Sequence, residues 1–174
     1  MLQTRIGNFA LTEVGRGCKQ ALHLVDCSSL GDEAICSIAR GCRNLKKLHI
    51  RICYEVGSNE IIAVGENCHS LTDLSVRFYD RSLIVLSFQD EALIAVCQGC
   101  PLQYLNVSGC NQIGDAGIVA IARGCPALAY LNVSVLQNLG DMELAELGRR
   151  LSLTQGYSTV TLPSNNIHWS FPTG

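Results

Sequence analysis

Charge is scarce in this sequence. Lys, Arg, Asp and Glu together make up 16% of the chain, and they nearly cancel to a formal net charge of −2. A field that weak does not draw a protein to a polyanion or an anionic bilayer, so neither a nucleic acid nor a membrane is expected as a partner. Long apolar runs are missing as well. The LIVL run near residue 83 falls far short of the ~20 residues that span a bilayer. The opening stretch MLQTRIGNFALTEVG has no basic start followed by a long apolar run. No secretory signal is therefore expected, and the chain is placed in the cytoplasm or nucleus. The sequence holds no G-x-S-x-G, no P-loop, no H-E-x-x-H and no G-x-G-x-x-G. The expectation is a protein that is not an enzyme and needs no cofactor.

What the sequence does have is repetition. The phrases ALHLVDC, KLHIRIC, DLSVRFY, YLNVSGC and YLNVSVL begin at residues 21, 47, 73, 104 and 130, at intervals of 26, 26, 31 and 26. In each, apolar residues alternate, as in a strand with one buried face: Leu48 and Ile50, or Leu105 and Val107. Between them runs a second phrase, seen as SSLGDEAICSIARGC, YEVGSNEIIAVGENC and NQIGDAGIVAIARGC. Its apolar residues recur at helical spacing, for example Ile118, Ile121 and Ala122. Asn8, Asp32, Ser58, Asp90, Asp115 and Asp141 stand where an N-cap is expected, with oxygens able to accept from first-turn N–H groups. Gly17, Gly41, Asn67, Gly99 and Gly124 stand where the helix should stop, which suggests a left-handed cap.

A strand and a helix every 26 or so residues is the leucine-rich-repeat pattern. The expected fold class is α/β: a curved solenoid with parallel strands on its concave face and helices on its convex face. About five repeats are assigned to residues 1–151, with an irregular insertion near 80–89. Residues 152–174 have turn residues and little periodicity and read as an irregular tail or partial cap.

Eight of the ten cysteines follow the same register. Cys18, Cys42, Cys68, Cys100 and Cys125 follow the helix ends, and Cys27, Cys53 and Cys110 close strand phrases. Cysteine acts as a small apolar residue in such a core, and inside the cell it stays a thiol. Zinc sites favour close C-x₂-C pairs, which this ladder does not provide. The single C-x-x-C, Cys97 to Cys100, could serve thiol or metal chemistry. Yet Cys97 falls where other repeats carry Gly15, Ala39, Gly65, Ala122 and Gly148, so a small packed residue is the reading. No metal is expected.

If Leu48 and Ile50 point inward, their alternates face the concave side. Across the repeats this register presents His23; Lys47, His49 and Arg51; Asp73 and Arg77; Tyr104 and Asn106; Tyr130 and Asn132. Tyrosine and arginine are favoured interface anchors, and solenoids commonly bind along this face. These ten residues are the candidate protein-binding site. The cations point to an acidic or phosphorylated partner. Plain solvation is the competing account, since exposed strand positions must be polar and basic residues also discourage edge pairing.

The stretches GCRNLKKLHIRICYEVG, LNVSGCNQIGDAGIVAIARGCP and VLQNLGDMELAELG resemble the cysteine-containing repeats of plant F-box/leucine-rich-repeat proteins, over residues 5–149. That resemblance implies the substrate-recognition part of a cullin-type ubiquitin ligase, acting in ubiquitin-dependent degradation. In that family an F-box docks the adaptor and the solenoid holds the substrate. No F-box-like segment stands before the repeats in this sequence, so docking to adaptor and cullin is expected only through that missing element. A stand-alone regulator competing for the same substrate is the alternative.

Overall fold

In the computed structural model the described residues are 20–25, 32–53, 56–77, 88–134, 136, 159–161 and 168–170. Strands and helices alternate as β1 (Ala21–Val25), α1 (Asp32–Gly41), β2 (Lys47–Arg51), α2 (Ser58–Asn67), β3 (Asp73–Arg77), α3 (Asp90–Gly99), β4 (Tyr104–Asn106), α4 (Asp115–Gly124) and β5 (Tyr130–Asn132). Two more strands follow, β6 (Thr159–Thr161) and β7 (His168–Ser170). All seven form one sheet in chain order. Pairing is parallel from β1 to β6, and β7 returns antiparallel to β6.

The register carries the repeat directly into packing. Leu22, Leu48, Leu74, Leu105, Leu131 and Val160 stand opposite one another along the sheet. Leu48, Leu74, Leu105 and Leu131 are at most 1% exposed, and each contributes about 1.5–3 kcal/mol by burial. Strands sit about 4.8 Å apart, whereas packed helix axes are usually 8–10 Å apart, so strand–helix units stack into a curve with the sheet inside. This is a leucine-rich-repeat solenoid.

Small residues hold the helices closer than usual. A Cβ on Gly99 would overlap the Gly65 carbonyl oxygen, and one on Gly124 would lie 2.6 Å from the Cys97 oxygen. These glycines were expected to supply left-handed caps, but they do not. Gly41, Gly99, Gly124 and Asn67 are the last residues of their helices. Among the described residues only Gly109 and Ile52 have positive φ. At Gly99 and Gly124 the residue is glycine because the preceding helix backbone fills the space of a side chain.

The N-caps also lie one residue earlier than expected. Gly57, Gln89 and Gly114 occupy the cap positions and make no side-chain cap bond, while Ser58, Asp90 and Asp115 open their helices. The side chains of Ser58 and Asp90 cap the following repeat instead. Ser58 Oγ accepts from the Gln89 N–H at 2.9 Å, and Asp90 Oδ1 accepts from the Gly114 N–H at 2.8 Å. Within α2, Glu60 reaches back to accept from the Gly57 N–H at 2.6 Å. Asn8 and Asp141 lie outside the described residues.

The insertion near 80–89 falls largely on residues 78–87, outside the described set. The chain is back in register at Phe88, which is 1% exposed and fills the place of Val56 and Ile113 in the sibling repeats. Residues 152–174, expected to be an irregular tail or partial cap, carry β6 and β7. Thr159 pairs with Tyr130, so β6 begins one repeat length beyond β5.

Candidate functional site: the concave sheet face

Three rows of side chains cross the concave side. The first runs Ala21, Lys47, Asp73, Tyr104 and Tyr130; the second runs His23, His49, Ser75, Asn106 and Asn132; the third runs Val25, Arg51 and Arg77. Nine of the ten candidate residues are exposed or half-buried: His23, Lys47, His49, Arg51, Asp73, Arg77, Tyr104, Tyr130 and Asn132.

Asp73 organises the centre. Its Oδ1 lies 2.8 Å from His49 Nε2, and its Oδ2 lies 3.4 Å from Lys47 Nζ. Lys47 remains 55% exposed, whereas Asp73 is only 14% exposed. The carboxylate is therefore the fixed partner and the ammonium the mobile one, and the first row is largely self-neutralised at β2 and β3.

Aromatic rings continue the surface. The His23 and His49 rings meet edge to face at 4.5 Å, and Tyr104 stands 6.2 Å beyond His49. Tyr104 and Tyr130 stack at 4.2 Å and 3°, an arrangement worth about 0.5–1.5 kcal/mol beyond burial. Because the tyrosine faces cover each other, a partner meets ring edges and hydroxyls. Burial pushes the Tyr104 phenol above its ordinary value, against the opposing effect of its hydrogen bond with Asn106.

Asn106 and Asn132 have a structural part on this face. Asn106 is buried, at 4% exposure, and Asn132 is half-buried. Their Oδ1 atoms accept from the backbone N–H of Ser108 at 3.1 Å and of Ser134 at 2.9 Å. Asn132 Nδ2 donates to the Tyr130 hydroxyl at 3.5 Å. Both asparagines brace the strand end and the neighbouring tyrosine. The repeated N-x-S of LNVSGC and LNVSVL carries this signal, because asparagine commonly bonds the backbone two residues on.

His49 and Asp73 form an acid–base pair, and Ser75 stands opposite His49 in the sheet. Ser75 is buried at 6% exposure and no hydrogen bond joins it to the imidazole, so it is not an activated nucleophile. Among the described residues no three His, Cys, Asp or Glu side chains could hold a metal ion.

Cys97 and Cys100 lie in the core, 2% and 4% exposed. A hydrogen bond with Cys125, then burial, pushes the Cys97 thiol well up, and burial pushes Cys100 up to about 12. Reactive cysteines need the opposite shift. Thiols of this ladder do have a structural use, donating back to the preceding repeat: Cys68 to the Cys42 carbonyl at 3.7 Å and Cys100 to the Cys68 carbonyl at 3.4 Å.

The fold and this face define a leucine-rich-repeat scaffold for protein interaction. The Leucine Rich repeat family profile matches residues 100–122, which cover β4 and most of α4. Antagonist of mitotic exit network protein 1 from Eremothecium gossypii is 34% identical over 68 residues, a match covering 37% of this chain. The chain spans 17% of that relative's length. Among solved structures, the yeast Rad7 and Elc1 complex contains a chain that aligns over 93% of this one and 64% of its own length, with 12% identity and a TM-score of 0.39.

Proposed function

We propose that this chain is a non-enzymatic recognition solenoid that holds a protein on its concave face, in the manner of the substrate-binding part of an F-box ubiquitin ligase subunit. The observation that carries this reading is the continuous His23–His49–Tyr104–Tyr130 ring array beside Lys47 and Asp73. The solenoid core uses only the opposite face of each strand, so packing does not require rings here. Aromatic anchors on an ordered sheet lose little conformational entropy on binding. The resemblance of the repeats to plant F-box/leucine-rich-repeat proteins supports the finer assignment, and a cytoplasmic or nuclear location goes with it.

The test is affinity capture from cells with the wild-type chain, a Tyr104→Ala/Tyr130→Ala variant and a Lys47→Glu/Arg51→Glu/Arg77→Glu variant. A protein held by wild type and lost with both variants is the expected result, and its half-life should lengthen when this protein is depleted. Capture that ignores both variants would remove the concave face from the reading. A partner whose half-life does not respond would remove the ligase assignment and leave a binding scaffold.

A further inference from the structure

A second charged surface lies off the concave face, in the turn that joins α1 to β2. Arg40, Arg43 and Lys46 are all exposed there, within seven residues of sequence. Among the described residues none of the three has a carboxylate within salt-bridge distance, whereas the adjacent Lys47 is held by Asp73. The fold accounts for their neighbours: Cys42, Leu45 and Leu48 are each at most 1% exposed. It does not account for the cations. The equivalent positions are Glu66, His69 and Thr72 in the next repeat, Gln98, Pro101 and Gln103 in the one after, and Arg123, Pro126 and Ala129 in the last, so among these repeats only the Arg40 position carries a cation again. Arg40 also sits in the last turn of its helix, where the negative end of the helix dipole favours a cation. Arg43 and Lys46 lie beyond the helix and have no such reason.

We propose that this turn is a docking surface for an acidic segment of a protein partner, bound through Arg40, Arg43 and Lys46. Two guanidinium groups and an ammonium on one rim match a short run of carboxylates, with the arginines able to bind bidentately. The rest of the chain has 10 cations against 15 carboxylates, a balance of −5. That background repels a long polyanion such as nucleic acid but tolerates a short acidic segment confined to the patch. Glu66, exposed on the adjoining repeat, bounds the patch on that side. This surface is distinct from the concave one, and it stands or falls separately.

Fluorescence anisotropy of a labelled oligoglutamate peptide, titrated with the full chain at low ionic strength, tests it. Exposed ion pairs are individually weak, so Arg40→Gln/Arg43→Gln/Lys46→Gln is expected to weaken binding about tenfold. Arg43→Gln and Lys46→Gln alone should each weaken it about two- to threefold. Lys47→Gln/Arg51→Gln/Arg77→Gln, on the concave face, should leave it nearly unchanged. Added salt should abolish binding, and an oligoglutamine peptide should not bind. The proposal is overturned if the rim variant binds like wild type, if the concave variant loses the peptide instead, or if wild type does not bind. It is overturned also if a short thymidine oligonucleotide binds more tightly than oligoglutamate and depends on the same three residues. Because the peptide assay does not involve the captured partner, its failure leaves the concave-face reading intact, and the converse holds.

Discussion

The Asp90 carboxylate accepts a hydrogen bond from the Gly114 N–H at 2.8 Å, so the first residue of α3 caps α4 in the next repeat. A Cβ on Gly117 would lie 2.6 Å from the same carboxylate oxygen. Glycine at 117 thus keeps a channel open for a side chain from the preceding unit. Removing a helix cap costs about 1 kcal/mol. Asp90→Ala is expected to lower stability by about that much, and Gly117→Ala should do similar damage by displacing the carboxylate. The double variant should cost clearly less than the sum, because each change breaks the same contact. Urea unfolding of the four proteins measures this, and full additivity would mean that the two residues are not coupled.

Close helix stacking makes a sharper prediction. A Cβ at Gly99 meets the Gly65 carbonyl, which is backbone and cannot rotate away. Gly99→Ala must push α3 from α2 and is expected to destabilise by about 3 kcal/mol, at the upper end of overpacking costs. Ala gains helix propensity over Gly by up to about 1 kcal/mol, which offsets only part of that. Gly124→Ala, with its nearest contact at 2.6 Å, should cost less. Thermal unfolding that showed Gly99→Ala more stable than wild type would refute the packing explanation.

Ile52 has φ 56° and Gly109 has φ 79°, at equivalent positions of their repeats. Both N–H groups donate to the end of the next strand phrase: Ile52 to the Arg77 carbonyl at 3.3 Å, and Gly109 to the Ser134 carbonyl at 3.0 Å. That bond imposes the left-handed turn whatever residue is present. A β-branched side chain there is strained by about 1–2 kcal/mol, while glycine costs about 0.5–1 kcal/mol in unfolded-state entropy. Relief of that strain offsets the loss of the half-buried Ile52 side chain, so Ile52→Gly should change stability by less than about 1 kcal/mol, whereas Gly109→Ile should lower it by about 1–2 kcal/mol. Chemical denaturation midpoints that fell equally in both would contradict this.

Much of this architecture could be read from the chain because each repeat places the same buried residues at the same spacing. Leu48, Leu74, Leu105 and Leu131 therefore announced both the strands and their register. The strand β6 escaped because Val160 stands in the leucine place and three residues are too few to show alternation. The capping residues were found, but one position out: Ser58 and Asp90 look like local caps, and only the stacked repeats show that they serve the next helix. On the concave face, alternation sets the rows, but it puts Ser75 and Asn106 at the surface, where the structure buries them. It could not reveal that Asn106 turns its side chain back to Ser108, since burial there comes from neighbouring strands. The Lys47–Asp73 pair was latent in the 26-residue interval, which sets the two side by side.

The buried thiols make stability sensitive to alkali. Burial raises Cys100 from an ordinary 9.0 to about 12, and Cys97 and Cys110 are pushed up as well. A raised folded-state pKa means that the unfolded chain releases its thiol protons first as pH climbs. The stabilisation from these thiols is therefore complete below about pH 9 and is lost progressively towards about pH 12. In that window each such thiol steepens the decline by up to about 1.4 kcal/mol per pH unit. Cys100→Ala should be less stable than wild type at neutral pH, having lost core volume and the bond to the Cys68 carbonyl. It should also lose stability more gently between pH 9 and pH 11, because one titrating group is gone. Urea unfolding across that range, under reducing conditions, checks both slopes. Parallel slopes in the two proteins would show that Cys100 ionises as readily in the fold as in the unfolded chain.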